Sequence, residues 1–123
     1  MEFAELQKEL NKNKMVKIDT NGKIDIIKIT EQTFGLKYFQ KLLDMELITT
    51  ITPKIENFKY GFIVPDNPHN YSENLTAFEF WKYLRLQIIT YDFTSTYDWK
   101  NFLNPFFGNV IFVKFALFVN LFE

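Results

Sequence analysis

Residues 110–122 read Val-Ile-Phe-Val-Lys-Phe-Ala-Leu-Phe-Val-Asn-Leu-Phe, an almost continuous apolar run. Every odd-numbered residue of this run, beginning with Ile111, is apolar. The two polar residues, Lys114 and Asn120, are both at even-numbered positions. A period of two is typical of a β-strand, and a helix would leave these polar residues on separate faces with no polar side for water. The run is too short to cross a bilayer, which requires about 20 apolar residues. The pattern therefore predicts a long buried strand whose odd-numbered positions face the main core.

The composition is that of a globular protein. Of the 123 residues, 47% are apolar and 24% are charged, which predicts a single domain over residues 1–123. Fifteen Phe, six Tyr and two Trp predict an aromatic core with rings left over for a partner surface. The absence of cysteine excludes disulfides and thiolate metal sites, and the acidic residues Glu2, Glu5 and Glu9 are unlike a signal peptide. We therefore expect a cytoplasmic protein with no membrane partner.

The balance of charge argues against nucleic acid as a partner. Fourteen Lys and Arg face fifteen Asp and Glu, a net charge of -1, which produces no overall attractive field. Arg85 is the single arginine, and arginine is the residue that specific phosphate and guanine contacts favour. Residues 60–99 are the acidic part of the chain, with two basic against five acidic side chains. A partner with basic groups therefore fits this segment best.

Residues 2–13 carry Phe3, Leu6 and Leu10 at helical spacing, which predicts a thin amphipathic helix. A hairpin follows, and the charges of its strands predict its register. A two-residue turn would place charged side chains against apolar ones, whereas a three-residue loop ending at a left-handed Gly22 avoids this. The predicted register pairs Asp19 with Lys23, Ile18 with Ile24, Lys17 with Asp25 and Val16 with Ile26.

The apolar stripe of residues 31–47 predicts a second helix, and residues 48–64 predict a second hairpin. A third helix is predicted to begin at Thr76, where Thr76 and Glu79 form a capping box and Leu75 a hydrophobic staple. We therefore predict an α+β fold with a mainly antiparallel sheet of about five strands, comprising two hairpins and a long C-terminal strand. The helices are expected to pack on one face. The final strand is expected at the centre of the sheet, beside both hairpins.

The chain contains no specific catalytic motif. His69 is the only histidine, and it lies in the polar loop at residues 65–74. An acid–base site there would combine it with Asp66, Tyr71 and Glu73. Because this loop is rich in Asn and Pro, an ordinary solvated histidine is the simpler interpretation. We predict a protein without catalytic residues, metal site or cofactor.

Two Tyr-Asp-aromatic triplets, at residues 91–93 and 97–99, lie six residues apart. Tyrosines beside carboxylates suit a protein partner with a basic surface. The alternative is that the rings belong to the core and that the acids cap helices or solubilise turns. The predicted partner-binding residues are Tyr91, Asp92, Tyr97, Asp98, Asp66 and Tyr71.

These patterns predict a small non-catalytic protein-binding protein of the immunity, antitoxin or inhibitor kind, which neutralises its partner through the acidic aromatic surface. Such a protein requires only a stable scaffold and a complementary patch. An alternative is a nucleic-acid-binding module, because a helix at residues 34–47 and a hairpin at 48–64 resemble the helix-and-wing order of winged-helix proteins. A third interpretation is a small enzyme using the loop at residues 65–74. The phosphate contacts of the nucleic-acid alternative would be Lys37, Lys41, Lys54 and Lys59.

The even-numbered face of the final strand carries three phenylalanines, Phe112, Phe118 and Phe122. If all three were exposed, they would form more apolar surface than a soluble monomer usually leaves open. Either the helix at residues 2–13 covers them, or a second copy of the chain does. Because that helix is thin, we predict a homodimer with the three phenylalanines at its interface.

Overall fold

The computed structural model describes residues 2–30, 36–43, 48–51, 59–66, 70–86, 104 and 106–114. Within these residues the chain forms three helices and five strands. The helices are α1 (Phe3–Asn11), α2 (Leu36–Leu43) and α3 (Leu75–Leu86). The strands are β1 (Lys14–Ile18), β2 (Ile24–Lys28), β3 (Ile48–Ile51), β4 (Tyr60–Pro65) and β5 (Val110–Lys114).

The strands form one antiparallel sheet in the order β2-β1-β5-β4-β3. Strand β5 lies at the centre and pairs with one strand of each hairpin, β1 and β4. A strand with apolar residues at both parities is stable there, because its neighbours satisfy its backbone groups and layers can cover both of its faces. The α+β class and the central position of the final strand are therefore confirmed. The length predicted for that strand beyond Lys114 lies outside the described residues.

The first hairpin has the predicted register. Gly22 adopts the left-handed conformation with a φ of 83°, and its N–H donates to the carbonyl of Asp19 at 3.0 Å. The carboxylate of Asp19 accepts two further backbone N–H groups, from Asn21 and Lys23, each at 2.9 Å. Hydrogen bonds among the turn residues thus close the loop. The observed pairs include Ile18 with Ile24, Lys17 with Asp25, Val16 with Ile26 and Met15 with Ile27.

Helices cover both faces of the sheet, so the prediction that they pack on one face is wrong. The reason is the apolar character of both parities along β5, since each face needs its own cover. One buried cluster joins α1 and α3 to the first face: Leu6, Leu10, Ala77, Phe80, Trp81, Leu84, Val16, Ile18, Phe62, Val64, Val110 and Phe112. The other joins α2 to the second face: Phe39, Leu43, Met15, Ile63, Ile111 and Val113.

Phe112 belongs to the larger of these clusters and has no exposed surface. Its ring centroid lies 4.9 Å from that of Phe80 and 5.0 Å from that of Phe62, both in edge-to-face geometry. Phe112 is therefore a core residue of its own chain, and its assignment to a dimer interface is wrong. The physical reason is that α3 adds its aromatic residues to the thin cover from α1. Phe118 and Phe122 lie outside the described residues.

The main core consequently lies on the even-numbered face of β5, where the sequence predicted the odd-numbered one. Val110 and Phe112 face α1 and α3, whereas Ile111 and Val113 face α2. Because residues of both parities are apolar, the pattern of β5 is compatible with either orientation. The larger helical layer decides between them.

Helix α3 begins two residues earlier than the predicted capping box requires, because its N-cap is Asn74 and not Thr76. The side-chain oxygen of Asn74 accepts the backbone N–H of Ala77 at 3.0 Å, which makes Asn74 the N-cap. Leu75 is the first helical residue, and 61% of its surface is exposed, so it forms no hydrophobic staple. The capping box predicted at Thr76 is wrong because Asn74 is a more favourable N-cap than threonine and has further partners for its amide.

Candidate functional site

Asn74 is completely buried and links three segments of the chain. Its Nδ2 donates to the carbonyl of Ile18 at the end of β1 and to that of Gly108 before β5, each at 2.9 Å. Its Oδ1 caps α3 through Ala77. One amide side chain thereby holds the end of β1, the start of α3 and the turn into β5 together at one end of the sheet.

The segment before α3 and the segment before β5 are joined by further hydrogen bonds. The N–H of Gly108 donates to the carbonyl of Ser72 at 2.7 Å, and the N–H of Asn74 donates to the carbonyl of Phe106 at 2.9 Å. The side chain of Asn104 donates to a carboxylate oxygen of Glu73 at 3.1 Å. These bonds fix the geometry of the loop residues around Asn74, which the sequence alone showed only as part of a polar stretch. The signal that could have found Asn74 is its position three residues before a helical Ala77.

A cleft of about 320 Å³ opens beside this junction. The described residues that line it come from the β1–β2 turn, the end of α2, the segment before α3 and the turn into β5. The residues that line it are Thr20, Leu43, Asn70, Tyr71, Ser72, Gly108 and Asn109. Of these residues, only Tyr71 is among the site residues predicted from the sequence. The others are uncharged and far apart in the chain, so no characteristic spacing marks them as a site.

A second feature is the exposed start of α3. Leu75 is 61% exposed, with the exposed carboxylate of Glu73 two residues before it and that of Glu79 one helical turn after it. Glu79 forms an ion pair of 2.7 Å with Lys82, whose ammonium also lies 4.7 Å from the ring centroid of Phe78. We call Glu73, Leu75 and Glu79 the α3 patch. It combines an apolar side chain with a net negative charge.

The residues predicted to bind a partner are only partly described. Asp66 is exposed directly after β4, and Tyr71 is half-buried against the α2 cluster and lines the cleft. The remaining four, together with His69, lie outside the described residues, so the acidic aromatic surface stays a prediction: Tyr91, Asp92, Tyr97 and Asp98. Among the described residues, no three acidic or histidine side chains cluster as a metal site would require.

The structure describes three of the four lysines that would contact phosphates in the nucleic-acid alternative. Lys37, Lys41 and Lys59 are exposed, whereas Lys54 lies outside the described residues. Lys37 and Lys41 are one helical turn apart on α2 and therefore share a face. Strand β4, however, is buried along its whole length and pairs with β5, so this strand of the second hairpin lies in the interior of the sheet and does not project as a wing.

Comparisons of the chain with family models, curated proteins and solved structures found no match. The described side chains and their surroundings are therefore the basis for a functional assignment. None of the described helices has both the length and the apolar composition needed to cross a membrane.

Proposed function

We propose that this protein is a cytoplasmic, non-catalytic protein-binding protein of the immunity, antitoxin or inhibitor kind, which neutralises a partner with a basic surface. The observation that supports the proposal is the α3 patch, where Leu75 is 61% exposed between the carboxylates of Glu73 and Glu79. Among the described residues, Leu75 is the large apolar side chain that remains exposed.

Each part of the patch has a physical role in binding. Burying an exposed leucine in a partner pocket contributes about 2 kcal/mol. Carboxylates at the rim attract basic groups and accelerate association, while contributing less to the final affinity. Leu75 stands on the first turn of a helix whose other side is anchored in the core by Phe80 and Leu84, so it is presented on a rigid support.

The predicted surface at Tyr91, Asp92, Tyr97 and Asp98 extends this proposal along the chain. Asp66 adds an exposed carboxylate after β4, and Tyr71 adds a half-buried ring. These residues and the α3 patch share one composition, aromatic or apolar side chains beside acidic groups, and that composition favours a basic protein partner.

The test compares charge reversal on and off the patch. A tagged Glu73→Lys/Glu79→Lys variant and a matched Glu2→Lys/Glu5→Lys variant carry the same change in net charge, and all four positions are exposed. Each protein is used to capture partners from the native host, and association of the recovered partner is then measured. We expect a basic partner that binds wild type and the α1 variant, and that associates at least tenfold more slowly with the patch variant. Equal association with both variants would contradict the role of the patch.

The nucleic-acid alternative rests on the exposed lysines Lys37, Lys41 and Lys59. Phosphate contacts make affinity fall steeply with salt concentration. We expect no submicromolar binding to duplex DNA or RNA at low salt. Tight binding that weakens steeply with salt, and that is lost when the three lysines are changed to Glu, would replace the protein-binding proposal.

A further inference from the structure

We infer that the cleft beside Asn74 binds a small uncharged ligand, a single hydroxylated ring of the size of one sugar, free or at the end of a longer glycan. Tyr71 lines the cleft and is also one of the proposed partner-binding residues, but none of the α3 patch residues is among the described lining residues, so the inference is tested separately from the role of the patch.

The walls of the cleft are held in place by the protein itself. Ser72 and Gly108 are joined by a backbone hydrogen bond of 2.7 Å, and Gly108 is also held through its carbonyl by the amide of Asn74. Such internal bonds exist without a ligand, so binding requires little ordering of the walls.

The hairpin that carries Thr20 is fixed in a similar way. The carboxylate of Asp19 accepts two backbone N–H groups of the turn, and the same amide of Asn74 holds the carbonyl of Ile18. Gly22 lies so close to α3 that a Cβ at this position would be 3.2 Å from the Oγ1 of Thr76. The turn is therefore packed against the helix start, and Thr20 has a defined position at the cleft.

The lining side chains define the chemistry of the ligand. Among the lining residues, Asn70 and Asn109 carry amide side chains, and Thr20 and Ser72 carry hydroxyls. Each of these groups can donate and accept a hydrogen bond, as a ligand hydroxyl also can. Among the described residues that line the cleft there is no Lys, Arg, His, Asp or Glu. A charged ligand would therefore lose hydration without gaining a countercharge, which favours an uncharged one.

The cleft also has an apolar component. Leu43 lines it, and Tyr71 lines it while packing against the α2 cluster. A tyrosine ring presents an apolar body with a polar end, and a sugar ring has both C–H and O–H surfaces. The cleft volume of about 320 Å³ lies at the lower end of the range of small-molecule sites. A single ring fits these properties better than an extended apolar molecule does.

The test uses the full chain labelled with ¹⁵N and follows backbone amide shifts during titration. The probes are methyl β-D-glucopyranoside, myo-inositol and glucuronate, the last being a charged counterpart of glucose. We expect saturable shifts at residues 70–72 and 108–109 with the two neutral probes in the millimolar range, and weaker binding of glucuronate. A cellobiose titration identifies the source: tighter binding than the methyl glucoside indicates a glycan end, and equal binding indicates a free ring.

Variants connect the shifts to the cleft. Asn70→Ala and Asn109→Ala each remove one lining amide, and we expect each to weaken binding of the neutral probe about fivefold. Asn21→Ala removes an exposed amide outside the cleft and is the matched control. Amide shifts of the sheet, recorded without probe, verify that each variant is folded.

Three results would overturn the inference. They are the absence of saturable shifts up to tens of millimolar probe, affinity unchanged in both lining variants, and glucuronate binding as tightly as the glucoside. None of them bears on the protein-binding proposal, whose test depends on Glu73 and Glu79.

Discussion

At the level of single residues, Asn74 connects more of the structure than any residue that the sequence singled out. Its amide nitrogen satisfies two backbone carbonyls, and its oxygen satisfies the first turn of α3, all without exposure to water. A buried amide with every partner present fixes relative positions more strictly than an apolar side chain, because each lost bond leaves a buried polar group unsatisfied.

We expect Asn74→Ala to lower the free energy of unfolding by about 3 kcal/mol, from the loss of an N-cap and of donors to two buried carbonyls. Urea denaturation monitored by circular dichroism measures this. Asn74→Asp keeps the cap acceptor but turns a buried carboxylate oxygen towards the two carbonyls, so we expect it to destabilise the fold at least as much. A loss below about 1 kcal/mol for Asn74→Ala would show that water replaces these bonds without penalty.

Glu9 provides a prediction about pH. The ion pair with the ammonium of Lys14, whose Nζ lies 2.8 Å from Oε2, is the main cause that lowers the pKa of the Glu9 carboxyl below its ordinary value of 4.5. Lys12, at 3.5 Å, adds a smaller effect in the same direction. Because the folded-state pKa is lowered, this pair stabilises the fold above the unfolded-state pKa, and the stabilisation is lost as the pH falls through the folded-state pKa.

We therefore expect the pKa of Glu9 to rise towards 4.5 in a Lys14→Met variant. An NMR titration of the Glu9 side-chain carboxyl carbon measures it directly. Lys12→Met should produce a smaller rise. If the pKa is the same in wild type and Lys14→Met, the ion pair does not form in solution.

At the level of the elements, β5 is distinguished by being buried on both faces. Its residues face, in alternation, the layer formed by α1 and α3 and the layer formed by α2. Its first four residues are buried. Its neighbours β1 and β4 supply its backbone partners. The strand is therefore the element on which both cores depend.

Truncation of Phe112 tests this position. Phe112→Ala should lower the free energy of unfolding by about 4 kcal/mol, because it leaves a cavity among the rings of Phe62, Phe80 and Phe106. Leu75→Ala, at an exposed position, should change it by less than about 0.5 kcal/mol. Chemical denaturation of both variants makes the comparison. Similar small losses in both would mean that Phe112 is not in the core.

At the level of the whole molecule, the oligomeric state tests the interface role that the sequence predicts for Phe118 and Phe122. The prediction of a homodimer now rests on Phe118 and Phe122 alone, because Phe112 is covered by its own chain. We expect light scattering at micromolar concentration to give twice the chain mass of 14.8 kDa, and Phe118→Asp to give a folded monomer. A wild-type mass of one chain would refute the homodimer.

The predictions of function were limited for a physical reason. Tyr71 was named from its place in a polar loop, but the other cleft residues come from segments that are distant in sequence, from Thr20 to Asn109. A catalytic or metal site would show charged or histidine side chains at characteristic spacings. Neutral amides and hydroxyls occur in most surface loops, so only their convergence in space distinguishes them.

The amino-acid sequence by itself determined the first helix, the hairpin register through Gly22 and the central position of the final strand. These depend on neighbours in sequence or on an apolar pattern that requires burial. The tertiary structure alone decided that Asn74 caps α3 and that Phe112 faces the main core. Both faces of β5 are apolar, so its pattern permits either orientation, and the packing of helices distant in sequence selects one.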